Sequence, residues 1–208
     1  SKTSVTINGG HHYFQCYDDC INSPGIINFA GGTTVCYATN NDAVDSNYGR
    51  SGAITISGGN LFAYSGAGGA EEGIDCDNNS YITVTGGIAI SAGGSQGGGG
   101  MGSSSSSIGS ASQGYYLGSS PSSYSTTYYT LCNTSGEAIC TYRFKKNVSN
   151  SLSLLTAPNL GTGSITVKQG TSAPTSASII VKNTTDAPVF WITPEVSTTS
   201  TAATITAK

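Results

Sequence analysis

Residues 52–59 read Gly-Ala-Ile-Thr-Ile-Ser-Gly-Gly, and residues 81–87 repeat the theme as Tyr-Ile-Thr-Val-Thr-Gly-Gly. Both segments alternate apolar and small polar residues before a pair of glycines, which is the period-two pattern of a strand with one face turned inward. The glycine pairs begin at residues 9, 31, 58 and 86, so they are 22, 27 and 28 residues apart. This self-similarity predicts a solenoid of stacked coils.

Three columns of apolar residues keep a fixed distance from these glycine pairs. The columns are Val5, Ile27, Ile54 and Ile82; Ile7, Phe29, Ile56 and Val84; and Tyr13, Val35, Phe62 and Ile90. A coil of about 22 residues with short strands and a glycine turn is the unit of a parallel β-helix, whose coils stack about 4.8 Å apart. A propeller or a sandwich would also give short strands and glycine turns, but the columns in register favour the helix. We therefore expect an all-β fold in which residues 1–92 form a right-handed parallel β-helix.

The pattern changes after Ile90. Residues 93–114 are rich in Gly and Ser and are predicted to be a loop or linker. Residues 115–208 are predicted to be a β-rich C-terminal region that packs on or caps the helix, with a hairpin around Gly136. Cys132 and Cys140 flank this hairpin, so we expect a disulfide between them.

Composition argues against several classes of partner. The chain has 8 Lys and Arg residues in scattered positions and a net charge of -3, which is not the basic footprint of a nucleic-acid-binding protein. No apolar run is long enough to cross a bilayer, and no signal peptide is visible at Ser1. Six cysteines permit disulfides in an oxidising compartment, although Cys16, Cys20, Cys36 and Cys76 share no column and read as small buried hydrophobes. His11-His12 reads as an ordinary turn pair.

The acidic residues are concentrated in the repeat. Of the 11 in the chain, eight lie between Asp18 and Asp77, where Arg50 is the only cationic side chain. They recur in a motif of acid, small residue, aliphatic residue and Asp or Asn. Its copies are Asp19-Cys20-Ile21-Asn22, Asp42-Ala43-Val44-Asp45 and Glu72-Gly73-Ile74-Asp75. If the repeats stack, the carboxylates stack as well.

A stack of carboxylates calls for a counter-charge. Two like charges about 5 Å apart repel by roughly 3 kcal/mol at an effective dielectric constant near 20, and Arg50 alone cannot neutralise the group. Ca²⁺ takes oxygen ligands from carboxylates, carbonyls and water, which two adjacent coils can supply. The alternative is that the acids are solvated loop residues. Because the acids repeat in register, we favour calcium.

The segments at 52–59 and 81–87, together with Glu-Glu-Gly-Ile-Asp at 71–75, resemble those of a bacterial family of carbohydrate-binding parallel β-helices with a pectate-lyase-like fold. The segment Leu-Leu-Thr-Ala-Pro-Asn-Leu at 154–160 is similar to the tails of that family, and the likeness spans roughly residues 4–170. It implies a secreted or cell-surface bacterial protein that binds calcium and acidic plant polysaccharide such as polygalacturonate, or cellulose. The calcium positions it implies are Asp19, Asp42, Asp45, Glu72 and Asp75, with Asp18, Glu71 and Asp77 as neighbours. Asn22 departs from the pattern, since an Asp is expected there.

Tyr37 and Tyr64 share another column, five residues after their glycine pairs. Stacked rings at such positions could hold the face of a sugar, with Arg50 as a further carbohydrate contact. The other reading is that the rings stack on each other in the core.

Three classes of function remain open at this point. We favour a monomeric, non-catalytic polysaccharide binder in which a partly coordinated Ca²⁺ bridges the acidic protein and the acidic polymer. A polysaccharide lyase would use Arg50 as the base, and it is disfavoured because no other cation on the repeat qualifies. A structural or adhesive surface protein would use calcium only to stiffen the fold.

Overall fold

The computed structural model is all-β, as the sequence predicts. It describes residues 3–67, 69, 71–94, 107–119, 124–148, 152–174, 178–179, 189–192 and 200–208. Within those residues the regular structure is seventeen strands and one 3₁₀ turn at Asn79–Tyr81. The strands are β1 Val5–Ile7, β2 His11–Cys16, β3 Ile21–Ser23, β4 Ile27–Phe29, β5 Thr33–Ala38, β6 Val44–Ser46, β7 Ile54–Ser65, β8 Ile82–Gly93, β9 Ser110–Ala111, β10 Tyr115–Ser119, β11 Tyr128–Cys132, β12 Ala138–Tyr142, β13 Leu152–Thr156, β14 Gly163–Gly170, β15 Ser178–Ile179, β16 Phe190–Ile192 and β17 Ser200–Ala207.

The repeat produces parallel strand pairing in the register that the glycine pairs define. Strands β1, β4, β7 and β8 pair in that order, and β2, β5 and β7 pair alongside them. The predicted columns are direct partners: Val5 with Ile27, Ile27 with Ile54, Ile54 with Ile82, Tyr13 with Val35, Val35 with Phe62, and Phe62 with Ile90. Because the period of a strand is two, this register sends each column to one face.

The second glycine of each pair has a conformation that other residues avoid. Gly32, Gly59 and Gly87 have φ of 76°, 70° and 81°. A Cβ on Gly59 would also lie 2.6 Å from the carbonyl carbon of Gly31, so the neighbouring coil leaves no space for a side chain. Positive φ and close backbone approach, the two roles expected for these glycines, therefore apply together.

The parallel pairing gives way to antiparallel pairing beyond β8. Strand β13 pairs antiparallel with β8, and β10 pairs antiparallel with β13, which makes the nine-stranded sheet a mixed one. Strand β9 pairs in parallel with β8 through Thr83–Ser110 and Val84–Ala111, so parallel stacking reaches into the range 93–114 predicted to be a linker. Residues 95–106 of that range lie outside the described part of the chain.

A second sheet contains the predicted hairpin. Its six strands lie in the order β15-β16-β12-β11-β14-β17. Strands β11 and β12 pair antiparallel around Gly136, as expected. The disulfide expected across this hairpin is wrong: a register shift after Leu131 pairs Cys132 with Ala138 and Leu131 with Cys140, and all six cysteines are free thiols.

Two apolar cores position these elements. One lies against the parallel strands β4, β7 and β8 and includes Ile27, Ile54 and Ile82. The other lies between β5, β7 and β8 and the second sheet, where the rings of Phe62 and Phe190 are 5.5 Å apart. Side chains from both halves of the sequence thus share one core. No helix in the described residues is long and apolar enough to cross a membrane.

Candidate functional site: a stacked acidic ladder

The acidic motif forms a parallel ladder of its own. Strand β3 pairs with β6 through Ile21–Val44 and Asn22–Asp45, and a single parallel bridge continues the ladder from Asp45 to Asp75. The aliphatic residue of each copy is buried, and the Asx residue that follows it is not. The aliphatic residues are Ile21, Val44 and Ile74, and the Asx residues are Asn22, Asp45 and Asp75. Alternation therefore turns the aliphatic column inward and the Asx column outward. We call Asp19, Asn22, Asp42, Asp45, Glu72 and Asp75 the acidic ladder.

Side-chain amides from the first two copies of the repeat hold the Asx column in place. The Nδ2 of Asn22 donates to Asp19 Oδ2 at 2.6 Å and to Asp45 Oδ2 at 2.8 Å. Asn47 Nδ2 donates to the same Asp45 oxygen at 2.6 Å. The Asn22 amide thus satisfies two carboxylates that a third carboxylate at this position would repel.

The column of first acids, Asp19, Asp42 and Glu72, is more buried. Asp42 is 8% exposed, and its Oδ1 accepts a hydrogen bond from the backbone N–H of Glu72 on the next coil. Asp19 Oδ1 is buried and has no hydrogen-bond partner in the described part of the chain. A buried carboxylate oxygen without a donor is costly, and either a water molecule or a cation would satisfy it.

Burial and mutual repulsion raise the proton affinity of three ladder carboxylates. Burial, followed by the charges of Asp75 and Asp42, raises the pKa of Glu72 to about 8. Burial raises the pKa of Asp42 to about 7 although the Glu72 N–H opposes it, and the Asp75, Glu71 and Asp45 charges add to the rise. Burial and then Asp75 raise the pKa of Asp45 to about 6. At neutral pH Glu72 is therefore largely protonated and Asp42 about half protonated, because their surroundings do not stabilise the ionised forms.

No cationic side chain compensates these carboxylates within the described residues. Arg50 is exposed, and its guanidinium carbon lies 4.7 Å from the ring centroid of Tyr48. The cation therefore stacks on an aromatic face instead of pairing with a ladder carboxylate.

The three neighbouring acids lie at the margin of the ladder. Asp18 is exposed and accepts from Asn41 Nδ2 at 2.6 Å. Asp77 is exposed with φ of 63°, and its N–H donates to Asp75 Oδ1 at 2.9 Å. Glu71 acts on Asp42 through its charge. The structure thus brings Asp42, Asp45, Glu72 and Asp75 together and leaves Asp18 apart from them.

The donor atoms of the ladder are those of a hard cation. Carboxylate and amide oxygens suit Ca²⁺, which accepts six to eight oxygen ligands including carbonyls and water. Within the described residues, however, no three His, Cys, Asp or Glu side chains converge on one point as a metal-binding group. A calcium ion here would draw on carboxylates of adjacent strands and complete its shell with backbone carbonyls and water. The unpartnered oxygen of Asp19 fits such a role.

The structure corrects the prediction that Tyr37 and Tyr64 bind sugar. The two rings stack on each other, with centroids 4.6 Å apart and planes 16° apart, but Tyr64 is fully buried and Tyr37 is 6% exposed. The hydroxyl of Tyr64 accepts a hydrogen bond from the Lys145 N–H at 3.2 Å. The rings stack under the second sheet, which is the alternative that the sequence left open, so neither presents a face to a ligand.

Sequence reasoning overlooked the supporting amides Asn41 and Asn47. A signal for Asn47 exists in the repeat, because Asp45-Ser46-Asn47 aligns with Asp75-Cys76-Asp77 as Asp-x-Asx. Asn41 directly precedes the first acid of its coil, a position held by Asp18 and Glu71 in the other two copies. An amide among acids at one aligned position indicates a hydrogen-bond donor to a neighbouring carboxylate.

Fold and site together define an all-β protein with a ladder of stacked, partly buried carboxylates. Comparisons with protein-family models, with curated proteins and with solved structures found no match.

Proposed function

We propose that this protein is a non-catalytic, calcium-dependent polysaccharide-binding protein whose ligand is an acidic plant polysaccharide such as polygalacturonate. The observation that carries the proposal is the stack of Asp42, Asp45, Glu72 and Asp75, which meets no cation among the described residues. Groups with perturbed pKa values concentrate at functional sites, since a structure gains nothing in stability from uncompensated buried charge.

The proposal includes the fold expected from the repeat, a right-handed parallel β-helix over residues 1–92. It is supported by three parallel ladders that keep one register: β1-β4-β7-β8, β2-β5-β7 and β3-β6 with its bridge to Asp75. Such a helix presents one residue per coil along each edge. The acidic ladder would then be an edge along which a polymer chain can lie.

A bound calcium ion would allow an acidic protein to bind an acidic polymer. A Ca²⁺ held by two carboxylates keeps coordination positions for other oxygens, and a uronate carboxylate can take one of them. Since Tyr37 and Tyr64 are buried, stacking on those rings cannot supply the affinity for a neutral glucan. This favours a uronate over cellulose as the ligand. Because plant polysaccharide lies outside cells, the proposal places the protein in secreted form or at the cell surface, as a monomer.

Binding assays with and without calcium test the proposal. We expect calorimetry to detect Ca²⁺ binding at pH 8, and retention on polygalacturonate to require that Ca²⁺ and to be lost with chelator. Asp75→Asn should abolish both effects, whereas Asp18→Asn, which alters an acid outside the ladder, should preserve them. Calcium binding without retention on polygalacturonate would leave a structural role for the metal and refute the polysaccharide part; absence of calcium binding would refute both.

A further inference from the structure

Three of the six cysteines meet inside the first two coils. Cys16 belongs to β2 and Cys36 to β5, and these strands pair in parallel with Phe14 opposite Cys36 and Cys16 opposite Ala38. Cys36 is fully buried in the core that lies against β4, β7 and β8, and Cys20 packs against the same core. The Cys36 thiol lowers the pKa of Cys20 and the Cys16 thiol adds to this, whereas burial opposes it. Cys16, Cys20 and Cys36 share no column, as the sequence indicates, but the fold brings them to the same side of the strand pair.

Cys20 is partly exposed to solvent and also lies next to the strand pair that holds Cys36. Its Sγ lies 3.9 Å from the carbonyl oxygen of Phe14, the residue directly opposite Cys36, so its sulfur is next to the strand pair that holds Cys36. Cys20 is partly exposed, whereas Cys36 is not. A disulfide reagent can therefore reach Cys20 from outside, and Cys36 needs only to meet the Cys20 sulfur.

We propose that Cys20 and Cys36 form an intramolecular disulfide when the protein meets a disulfide donor such as oxidised glutathione. The Cys20 thiolate attacks the donor, giving a mixed disulfide and one reduced thiol. The Cys36 thiolate then attacks the Cys20 sulfur and releases a second reduced thiol. Two protons leave the protein, its two thiols are oxidised, and the donor disulfide is reduced. This modification site is independent of calcium and polysaccharide binding.

The bond would link the start of the acidic ladder, at Cys20, to strand β5, which contains Cys36. Cys20 lies between Asp19 and Ile21 in the first copy of the motif, and Cys36 lies in the second coil. Closing a loop of this length constrains the unfolded chain. The oxidised protein should therefore melt roughly 6 to 12 °C higher than the reduced protein.

The test is to incubate the 208-residue chain with excess oxidised glutathione at pH 8, alkylate the remaining thiols in denaturant, and record the mass. We expect two of the six thiols to be lost. Chymotrypsin cleaves after Tyr17 and Phe29 and so separates the three cysteines, which allows the bond to be assigned. A Cys20–Cys36 linked peptide supports the proposal. Six alkylated thiols, a stable glutathione adduct alone, or a bond between Cys16 and Cys20 would each overturn it.

Cysteine variants distinguish loss of the disulfide from loss of folding. Cys20→Ser and Cys36→Ala should each prevent formation of the cross-link and the rise in melting temperature. Cys16→Ala should keep both. Cys76→Ala is the matched control, because Cys76 is also buried in the core that lies against β4, β7 and β8 but hydrogen-bonds to the Asn78 carbonyl instead of to a thiol. If Cys36→Ala fails to fold, the assignment still rests on the linked peptide of the unsubstituted protein, whose absence would refute the proposal.

Discussion

Asp45 and Asp75 lie directly opposite each other across a parallel β-bridge. Two carboxylates on adjacent strands at this spacing repel unless protons or cations intervene, and the Asp75 charge contributes to the raised pKa of Asp45. The amides of Asn22 and Asn47 partly offset this by donating to Asp45. Asp75 receives the N–H of Asp77 instead. Beyond burial, Asp75 is the charge that contributes most to the raised pKa values of Asp42, Asp45 and Glu72, so a cation beside it would relieve repulsion at all three.

The stability of the calcium-free protein is expected to fall as pH rises. The pKa values of Asp45, Asp42 and Glu72 are raised to about 6, 7 and 8, so the folded state binds protons more tightly than the unfolded state does. For such groups, stability is greatest below the unfolded pKa values near 4 and declines until the folded pKa values are passed near 8. Thermal melts in chelator from pH 4.5 to 8.5 should show the decline. A melting temperature that rises steadily over this window would contradict the pKa assignment.

Calcium is expected to oppose this decline. A cation at the acidic ladder favours the ionised carboxylates. Its affinity should therefore increase with pH, and its binding at neutral pH should release protons. Melts at pH 8 with Ca²⁺ at about 100 times its Kd should gain about 2.7 kcal/mol in unfolding free energy. The gain in unfolding free energy should be smaller at pH 5, where protons compete with Ca²⁺ for the carboxylates. Equal gains at both pH values would place the ion elsewhere.

Removal of one charge from the bridge should stabilise the calcium-free protein. Asp75→Asn keeps the oxygen that accepts the Asp77 N–H but ends the repulsion of Asp45. We expect a gain of roughly 1 kcal/mol at pH 8 in chelator, because partial exposure screens the charges. Chemical denaturation measures it. Asp18→Asn serves as the control, since Asp18 lies outside the ladder, and a similar gain there would indicate a general effect of net charge.

Replacement of Asn22 by an acid should lower the stability of the calcium-free protein and raise its affinity for Ca²⁺. Asn22→Asp removes the donor to Asp19 and Asp45 and adds a third like charge between them. Without calcium we expect a loss of roughly 1 to 3 kcal/mol at pH 8. With calcium the loss should be smaller, since the new carboxylate is a further ligand for the ion. Denaturation of the variant with and without Ca²⁺ tests both parts, and a loss that Ca²⁺ leaves unchanged would exclude metal binding at this end.

The repeat predicts pairing register well because local chemistry alone determines it. Glycines at a fixed distance from aliphatic columns place Ile27, Ile54 and Ile82 opposite one another, as the structure confirms. Register in the hairpin depends instead on a bulge after Leu131, which no pattern in that segment signals, so the disulfide prediction was wrong. Tyr64 was ambiguous for a similar reason. Whether a ring in an aligned column meets solvent or the second sheet depends on contacts distant in sequence, here with Phe144.

A glycine whose Cβ position lies against the backbone of the neighbouring parallel strand should not tolerate a side chain. Gly59→Ala places a Cβ 2.6 Å from backbone atoms of Gly31 and Gly32 and imposes a positive φ on alanine. Gly52 has a similar φ of 77° but has no atom within 4 Å of its Cβ position. Gly52→Ala should cost about 1 to 2 kcal/mol from conformation alone, and Gly59→Ala clearly more. Equal losses in denaturant unfolding would show that the coils can move apart at no cost.

The stacked tyrosines should matter for stability and not for binding. Tyr64 is fully buried against Tyr37 and Phe62, so Tyr64→Leu leaves a cavity and removes the ring contacts. We expect a loss of roughly 2 to 4 kcal/mol in unfolding free energy, whereas Tyr124→Leu, at a ring that is 52% exposed, should change it by about 0.5 kcal/mol or less. Affinity for polygalacturonate, measured at a temperature where each variant is folded, should be equal in all three proteins. A selective loss of affinity in Tyr64→Leu would return the ring to the binding site and require the second sheet to move away from it.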